Sequence, residues 1–167
     1  MALVSRHKAI LDAVAATLNE DDELTDLKFL VRKKAKHRDK PWEPGAYVCP
    51  GSVYSPPHEN DRDLLGFDAV VVIVHPTDAD LSEGLEDHLA AIERVEEIFR
   101  FKSGGRAPNS MLEGITRPDA DSIMTFVRCD SRPQSRFIDS AFEGGYDASS
   151  CTIRVDVRAT RRNVASL

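Results

Sequence analysis

The sequence predicts an α+β fold: a mostly antiparallel or mixed β-sheet with two main helices packed on one face. Three observations predict it. Apolar residues recur at three- and four-residue spacing near residues 4–18 and 81–100, the mark of two amphipathic helices. Between them, Val70, Val71, Val72, Ile73 and Val74 form an unbroken β-branched run, the pattern of a strand buried on both faces and therefore central in its sheet. At the end of the chain, Cys151, Ile153, Val155, Val157 and Ala159 alternate with Thr152, Arg154, Asp156, Arg158 and Thr160. That period of two gives a strand with one apolar and one polar face, the polar one keeping its arginines in solvent.

The elements follow in order. Val4, His7, Ile10, Leu11, Val14 and Leu18 carry the first helix, with Ser5 as a cap. The run Glu20, Asp21, Asp22, Glu23 ends it, because negative charge is unfavourable at a helix C-terminus. Leu27 to Val31 reads as a strand leading into the basic stretch Arg32, Lys33, Lys34, Lys36, Arg38 and Lys40. Seven prolines and glycines then punctuate Pro41 to Pro57, leaving room for a short strand at Ala46 to Cys49. Residues from about 50 to 66 are expected to form a long exposed loop. Phe67 to His75 is the buried strand, stopped by Pro76. Asp80 and Glu83 have the spacing of a capping box for the second helix, whose stripe is Leu85, Leu89, Ile92, Val95 and Phe99. Its outer face bears Glu86, Asp87, Glu93, Glu96 and Glu97. A long connection spans about 102–122, Ile123 to Cys129 reads as a strand, and Arg132 to Tyr146 reads as irregular. No internal repeat or domain-sized linker interrupts the chain, so one domain is expected over 1–167.

Composition narrows the function classes. A net charge of −6 disfavours a dedicated nucleic-acid binder, whose domain is usually basic. Cys49, Cys129 and Cys151 are widely spaced and odd in number, which suits free thiols in a reducing compartment rather than a zinc or redox motif. The first residues lack the pattern of a secretory signal. The longest apolar run, Ala69 to Val74, falls far short of the ~20 residues that span a bilayer.

Candidate chemistry is sparse. His75, Asp78 and Asp80 follow the central strand and carry donor atoms for a metal or for acid–base work, but Asp80 serves better as a helix cap and Asp78 as a turn residue. His58, Glu59, Asp61 and Asp63 cluster without the spacing of a calcium loop, and their alternation with Arg62 suits solvated or intersubunit contacts. No nucleophile elbow or phosphate loop is present. No catalytic residue, cofactor or metal is therefore expected. The basic stretch from Arg32 to Lys40, with Trp42 and Tyr47 nearby, could meet phosphates, guard a strand edge or meet the acidic helix of a neighbouring subunit. The last is favoured. The expected interface residues are Arg32, Lys33, Lys34, Lys36, Arg38, His58, Glu59, Asp61, Arg62, Glu86, Glu93 and Glu97.

One further pattern concerns the layout. Pro44-Gly45-Ala46-Tyr47-Val48-Cys49-Pro50 precedes a charged segment, then Arg62-Asp63-Leu64-Leu65-Gly66-Phe67, the buried strand and His75-Pro76-Thr77-Asp78. Phe142-Glu143-Gly144-Gly145-Tyr146-Asp147-Ala148-Ser149 precedes the final strand. This arrangement resembles the tail-terminator and neck proteins of tailed bacteriophages and prophages. The resemblance implies an α+β subunit of a ring, usually a hexamer, that caps the tail tube and joins it to head-completion or connector proteins. It implies a place in the virion tail or neck after assembly in the host cytoplasm, no sequence-specific nucleic-acid contact though DNA passes through the ring, and no membrane partner. Another neck or minor tail component is the alternative within this class. A metal-dependent enzyme and a nucleic-acid accessory protein are the alternatives outside it.

Overall fold

A computed structural model describes residues 6–33, 44–54, 64–76, 83–99, 124–133 and 146–159. The chain runs α1 (Arg6–Asn19), a 3-10 turn (Asp22–Leu24), β1 (Phe29–Val31), β2 (Gly45–Tyr54), β3 (Leu64–Pro76), α2 (Glu83–Phe99), β4 (Met124–Pro133) and β5 (Tyr146–Ala159). The five strands make one sheet in the order β1-β2-β3-β5-β4. β1 pairs parallel to β2 and every other pairing is antiparallel, so the sheet is mixed and the class is α+β.

The β-branched run is central, as its pattern required. β3 pairs along its length with β5 and with β2 on the other side. Its odd residues Phe67, Ala69, Val71 and Ile73 join a core with Ile10, Leu11, Val14 and Leu18 of α1 and Ile92, Val95 and Phe99 of α2. Both helices therefore lie on one face, where burying their apolar stripes offsets the entropy of ordering them. Its even residues Val72 and Val74 belong to a second, smaller cluster with Tyr47, Cys49 and Ala148 on the opposite face.

That second face corrects the expectation for the last strand. Cys151, Ile153 and Val155 do face the helices, buried to 0% exposure. On the other side, however, the Arg154 side chain is only 19% exposed and Asp156 is fully buried, with Arg154 Nε 3.4 Å from an Asp156 carboxylate oxygen. Arg154 also stands opposite Asp68 in the register. Period-two alternation reports which residues share a face. It does not report whether the polar set is solvated or neutralised by its own neighbours.

The expected loop at about 50–66 is shorter than its composition suggested. β2 continues to Tyr54 and β3 begins at Leu64, so residues 50–54 and 64–66 are strand; residues 55–63 lie outside the described ones. Pro50 is tolerated because of its side of the ladder. Arg32 N–H donates to the Val48 carbonyl at 3.0 Å, so Val48 and, two residues on, Pro50 direct their backbone groups toward the β1 edge. Pro50 thus lacks a donor that β3 never needed, and β1 ends before reaching it. The register then shifts between Pro50 and Val53. Gly51 allows the close approach there, since a Cβ would stand 2.7 Å from Asp68 Cβ. Likewise β4 extends to Pro133 and β5 starts at Tyr146, trimming both ends of the region expected to be irregular. The connection at about 102–122 lies outside the described residues.

α1 is fixed at both ends by polar contacts. His7 Nε2–H donates to the Asp68 carbonyl at 2.9 Å while its ring packs against Phe67. At the other end, the Asn19 side chain grips β1: its Nδ2 donates to the Phe29 carbonyl at 3.0 Å and its Oδ1 accepts from Phe29 N–H at 2.8 Å. One amide side chain thereby serves as a single-residue strand partner. An exposed Lys8–Asp12 pair spans one turn of the same helix. Neither described helix is long and apolar enough to cross a membrane.

Candidate functional site

The acidic run after α1 does more than end the helix. Asp21 accepts from Glu23 N–H at 3.1 Å and so caps the 3-10 turn. Its carboxylate also takes two hydrogen bonds from Arg94 of α2, Nη2 to Oδ2 at 2.8 Å and Nε to Oδ1 at 3.2 Å. This forked geometry is the strongest form of a carboxylate–guanidinium contact. Glu23 and Glu97 each lie 3.5 Å from the same guanidinium. Arg94 thus ties the second helix to the segment after the first, across 73 positions of sequence.

Beside this tie lies a cleft of about 400 Å³ lined by Glu23, Leu24, Asp26, Leu27, His75, Ala90, Ala91 and Arg94. Leu24, Leu27 and the two alanines give it an apolar floor. Glu23 and Asp26 are exposed at its rim, and half-buried His75 reaches it from the end of β3 on the helix side of the sheet.

The electrostatics follow from the contacts. Hydrogen bonding from Arg94 holds the Asp21 carboxyl below its ordinary value, against the opposing effect of burial. A carboxylate with a lowered folded-state pKa adds stability above its unfolded value and loses it as pH falls through the folded one. Asp21→Asn keeps a side-chain acceptor for the cap but removes the charge, so its melting temperature is expected to lie a few degrees below wild type at neutral pH. The gap should begin to close below about pH 4, the unfolded carboxylate range, and vanish below the folded-state value. Thermal denaturation of both proteins across that range checks this, and a gap that persists unchanged into strong acid would contradict it.

The described cysteines are structural. Cys49 and Cys151 are free and buried. Burial pushes the Cys151 thiol up to about 12, with the charge of nearby Glu96 acting in the same sense. Burial also raises Cys49, partly offset by Arg32. Neither is poised as a thiolate nucleophile.

The expected interface residues are distributed as follows. Arg32 leaves β1 on the face opposite the helices, its guanidinium carbon 4.4 Å from the Tyr47 ring centre, and Lys33 beyond it is exposed. Glu93 and Glu97 are exposed on α2, where Glu86 also lies by position. Glu96, expected on that outer face, is instead half-buried near Cys151. Lys34, Lys36, Arg38, His58, Glu59, Asp61 and Arg62 lie outside the described residues, as do Asp78 and Asp80. Among the described residues, no three histidine, cysteine or carboxylate side chains come together as metal ligands. Sequence reasoning missed Arg94, Asp21, Glu23 and Asp26 as a group. The available signal was Arg94 itself, one cation in the run Glu93-Arg94-Val95-Glu96-Glu97.

Taken together, these features define an α+β protein with a mixed five-stranded sheet and a cleft beside the Asp21–Arg94 tie. No protein-family model and no curated protein matches the chain. Among the chains of solved structures that match, one that bears no functional name has 12% identity and a TM-score of 0.37, with 92% of each chain covered.

Proposed function

We propose that this chain is a structural subunit of a tailed-phage virion, a tail-terminator or neck protein that forms a ring, caps the tail tube and joins it to the head-side connector. It works by assembly rather than catalysis, in the virion, after assembly in the host bacterial cytoplasm. Beside the resemblance in layout, the observation that carries this reading is the separation of charge. Arg32, just past the end of β1, belongs to the sheet face away from the helices, and exposed Lys33 follows it. The carboxylates of the 3-10 turn and α2 belong to the helix layer. A closed ring needs two different, complementary surfaces on each subunit, and these two are complementary in sign and apart in space.

The test is the mass of the purified protein in solution, with electron microscopy for rings. A ring of a few copies is expected, with hexamers foremost, weakened by Lys33→Glu and Lys34→Glu and by raised salt. Since exposed ion pairs contribute only ~0–1 kcal/mol each, reversal should weaken the ring rather than abolish it. A chain that stays monomeric at high concentration, with tail tubes present as well, would sink the reading.

A further inference from the structure

We infer that the sheet face away from the helices is covered by the chain's own connection between β1 and β2, residues 34–43, with Trp42 laid against the cluster around Tyr47. The inference goes beyond the subunit reading and does not depend on it.

The face is buried, yet none of the described helices lies on it. Tyr47 is 2% exposed, Cys49 6%, Val72 8% and Val74 2%, while α1 and α2 both pack on the other side. Both ends of the connection touch this cluster. The Arg32 guanidinium lies over the Tyr47 ring. The Tyr47 hydroxyl donates to the Pro44 carbonyl at 3.3 Å. Gly45, at φ 147°, lets the chain enter β2 tightly there, since a Cβ would stand 2.9 Å from the Tyr47 hydroxyl oxygen. The chain thus leaves β1 and enters β2 against one and the same side chain.

Topology puts the stretch between those ends on the same face. β1 and β2 are adjacent and parallel, so the chain must run back along the pair, from the level of Val71 to that of Val74. β3 and β4 are parallel to each other as well, both being antiparallel to β5, and α2 carries their crossover on the helix face. The two crossovers step across the sheet in the same direction, from the β1 edge toward the β4 edge. Their strands point opposite ways, because β2 is antiparallel to β3. Crossovers between parallel strands are right-handed almost without exception. Equal hand with reversed strand direction requires opposite faces, so the first crossover lies away from the helices. The helix face over β1 and β2 is in any case taken by α1.

The composition of the stretch suits that place. Trp42, the chain's single tryptophan, is its one large apolar residue and stands two positions before Pro44. The lysine and arginine side chains can lay their stems on apolar surface and keep their charges in water. The positive surface of the subunit contact would then belong to the far face of the sheet.

The test uses the cysteines on the two faces, Cys49 away from the helices and Cys151 beneath them, with iodoacetamide as the probe and peptide mapping as the readout. Both should be protected in the wild type. Replacing residues 34–43 by glycine and serine at equal length should speed alkylation of Cys49 by about tenfold or more and leave Cys151 protected. If Cys49 stays as protected as Cys151, the inference is overturned. Wild-type protection of Cys49 that disappears on dilution would assign the cover to another copy and overturn it too. Should the replacement expose both cysteines through unfolding, a short bismaleimide on the otherwise intact chain decides. Arg38→Cys should cross-link within one chain to Ser150→Cys, level with Val72, and not to Ala90→Cys on α2. The reverse preference overturns the inference.

Discussion

Aspartate at Val71 or at Val72 is expected to leave the chain without a cooperative unfolding transition. The two residues are neighbours on β3 and face opposite ways, Val71 into the helix-side core at 0% exposure and Val72 into the second cluster at 8%. In a sheet with one wet face, one of two adjacent residues tolerates charge. Here neither does: Val71 would put a carboxylate into the sealed helix-side core, and Val72 would put one among the apolar groups of Tyr47, Cys49 and Val74, with Arg32 lying over the Tyr47 ring rather than in the cluster. An uncompensated buried charge costs on the order of 3–5 kcal/mol, a large part of the whole stability of a domain this size. Leu30→Asp is the control: at 41% exposure on β1 it should change stability by only about 0.5 kcal/mol. Circular dichroism melts of the three variants decide the matter. A Val72→Asp protein that melts like the wild type would mean that the second face is open to water in solution.

Asn19→Asp is expected to cost about 2 kcal/mol, more than Asn19→Ala, although it changes a single atom group. The Asn19 amide donates to the Phe29 carbonyl and accepts from its N–H. A carboxylate keeps the second bond and turns the first into a contact between two acceptors. It also adds negative charge at the end of α1, next to Glu20, Asp21 and Asp22. Those surroundings raise the pKa of the new carboxyl in the folded state. The penalty is therefore full above that raised value and shrinks as pH falls through it, since a protonated carboxyl donates again. Relative to wild type, Asn19→Asp should regain stability below about pH 5 while Asn19→Ala does not. Parallel pH dependence of the two variants would show that the paired contact is not what holds β1.

Much of the fold was legible because it rests on local periodicity. The stripe from Ile10 to Leu18, the run at Val70–Val74 and the alternation from Cys151 to Val155 each report burial through spacing alone, and each is buried in the core or the second cluster. Strand length was less legible. Pro50 and Gly51 read as breakers, yet an edge-facing proline costs the ladder nothing and a glycine suits a tight approach. Solvation of the polar face was illegible for a different reason: Arg154 and Asp156 look like solvated charges until the sheet sets them against each other. The cleft was the least visible feature, because Asp21 and Arg94 are separated in the chain by β1, β2 and β3 and meet only once those strands have paired. Glu20 to Glu23 was correctly read as a helix stop, and the second use of the same carboxylates left no periodic trace.

The edge formed by β1 and the outer side of β2 has a consequence for the protein at high concentration. Strands with free backbone groups nucleate fibrils by recruiting further strands in register. On this side, an added strand would have to displace the Asn19 amide from Phe29 and, one strand over, would find no donor at Pro50 and a shifted register beyond it. Cross-β growth from this edge is therefore blocked twice by residues of the native chain. A concentrated solution can build closed assemblies through side-chain surfaces without also seeding fibrils from this flank.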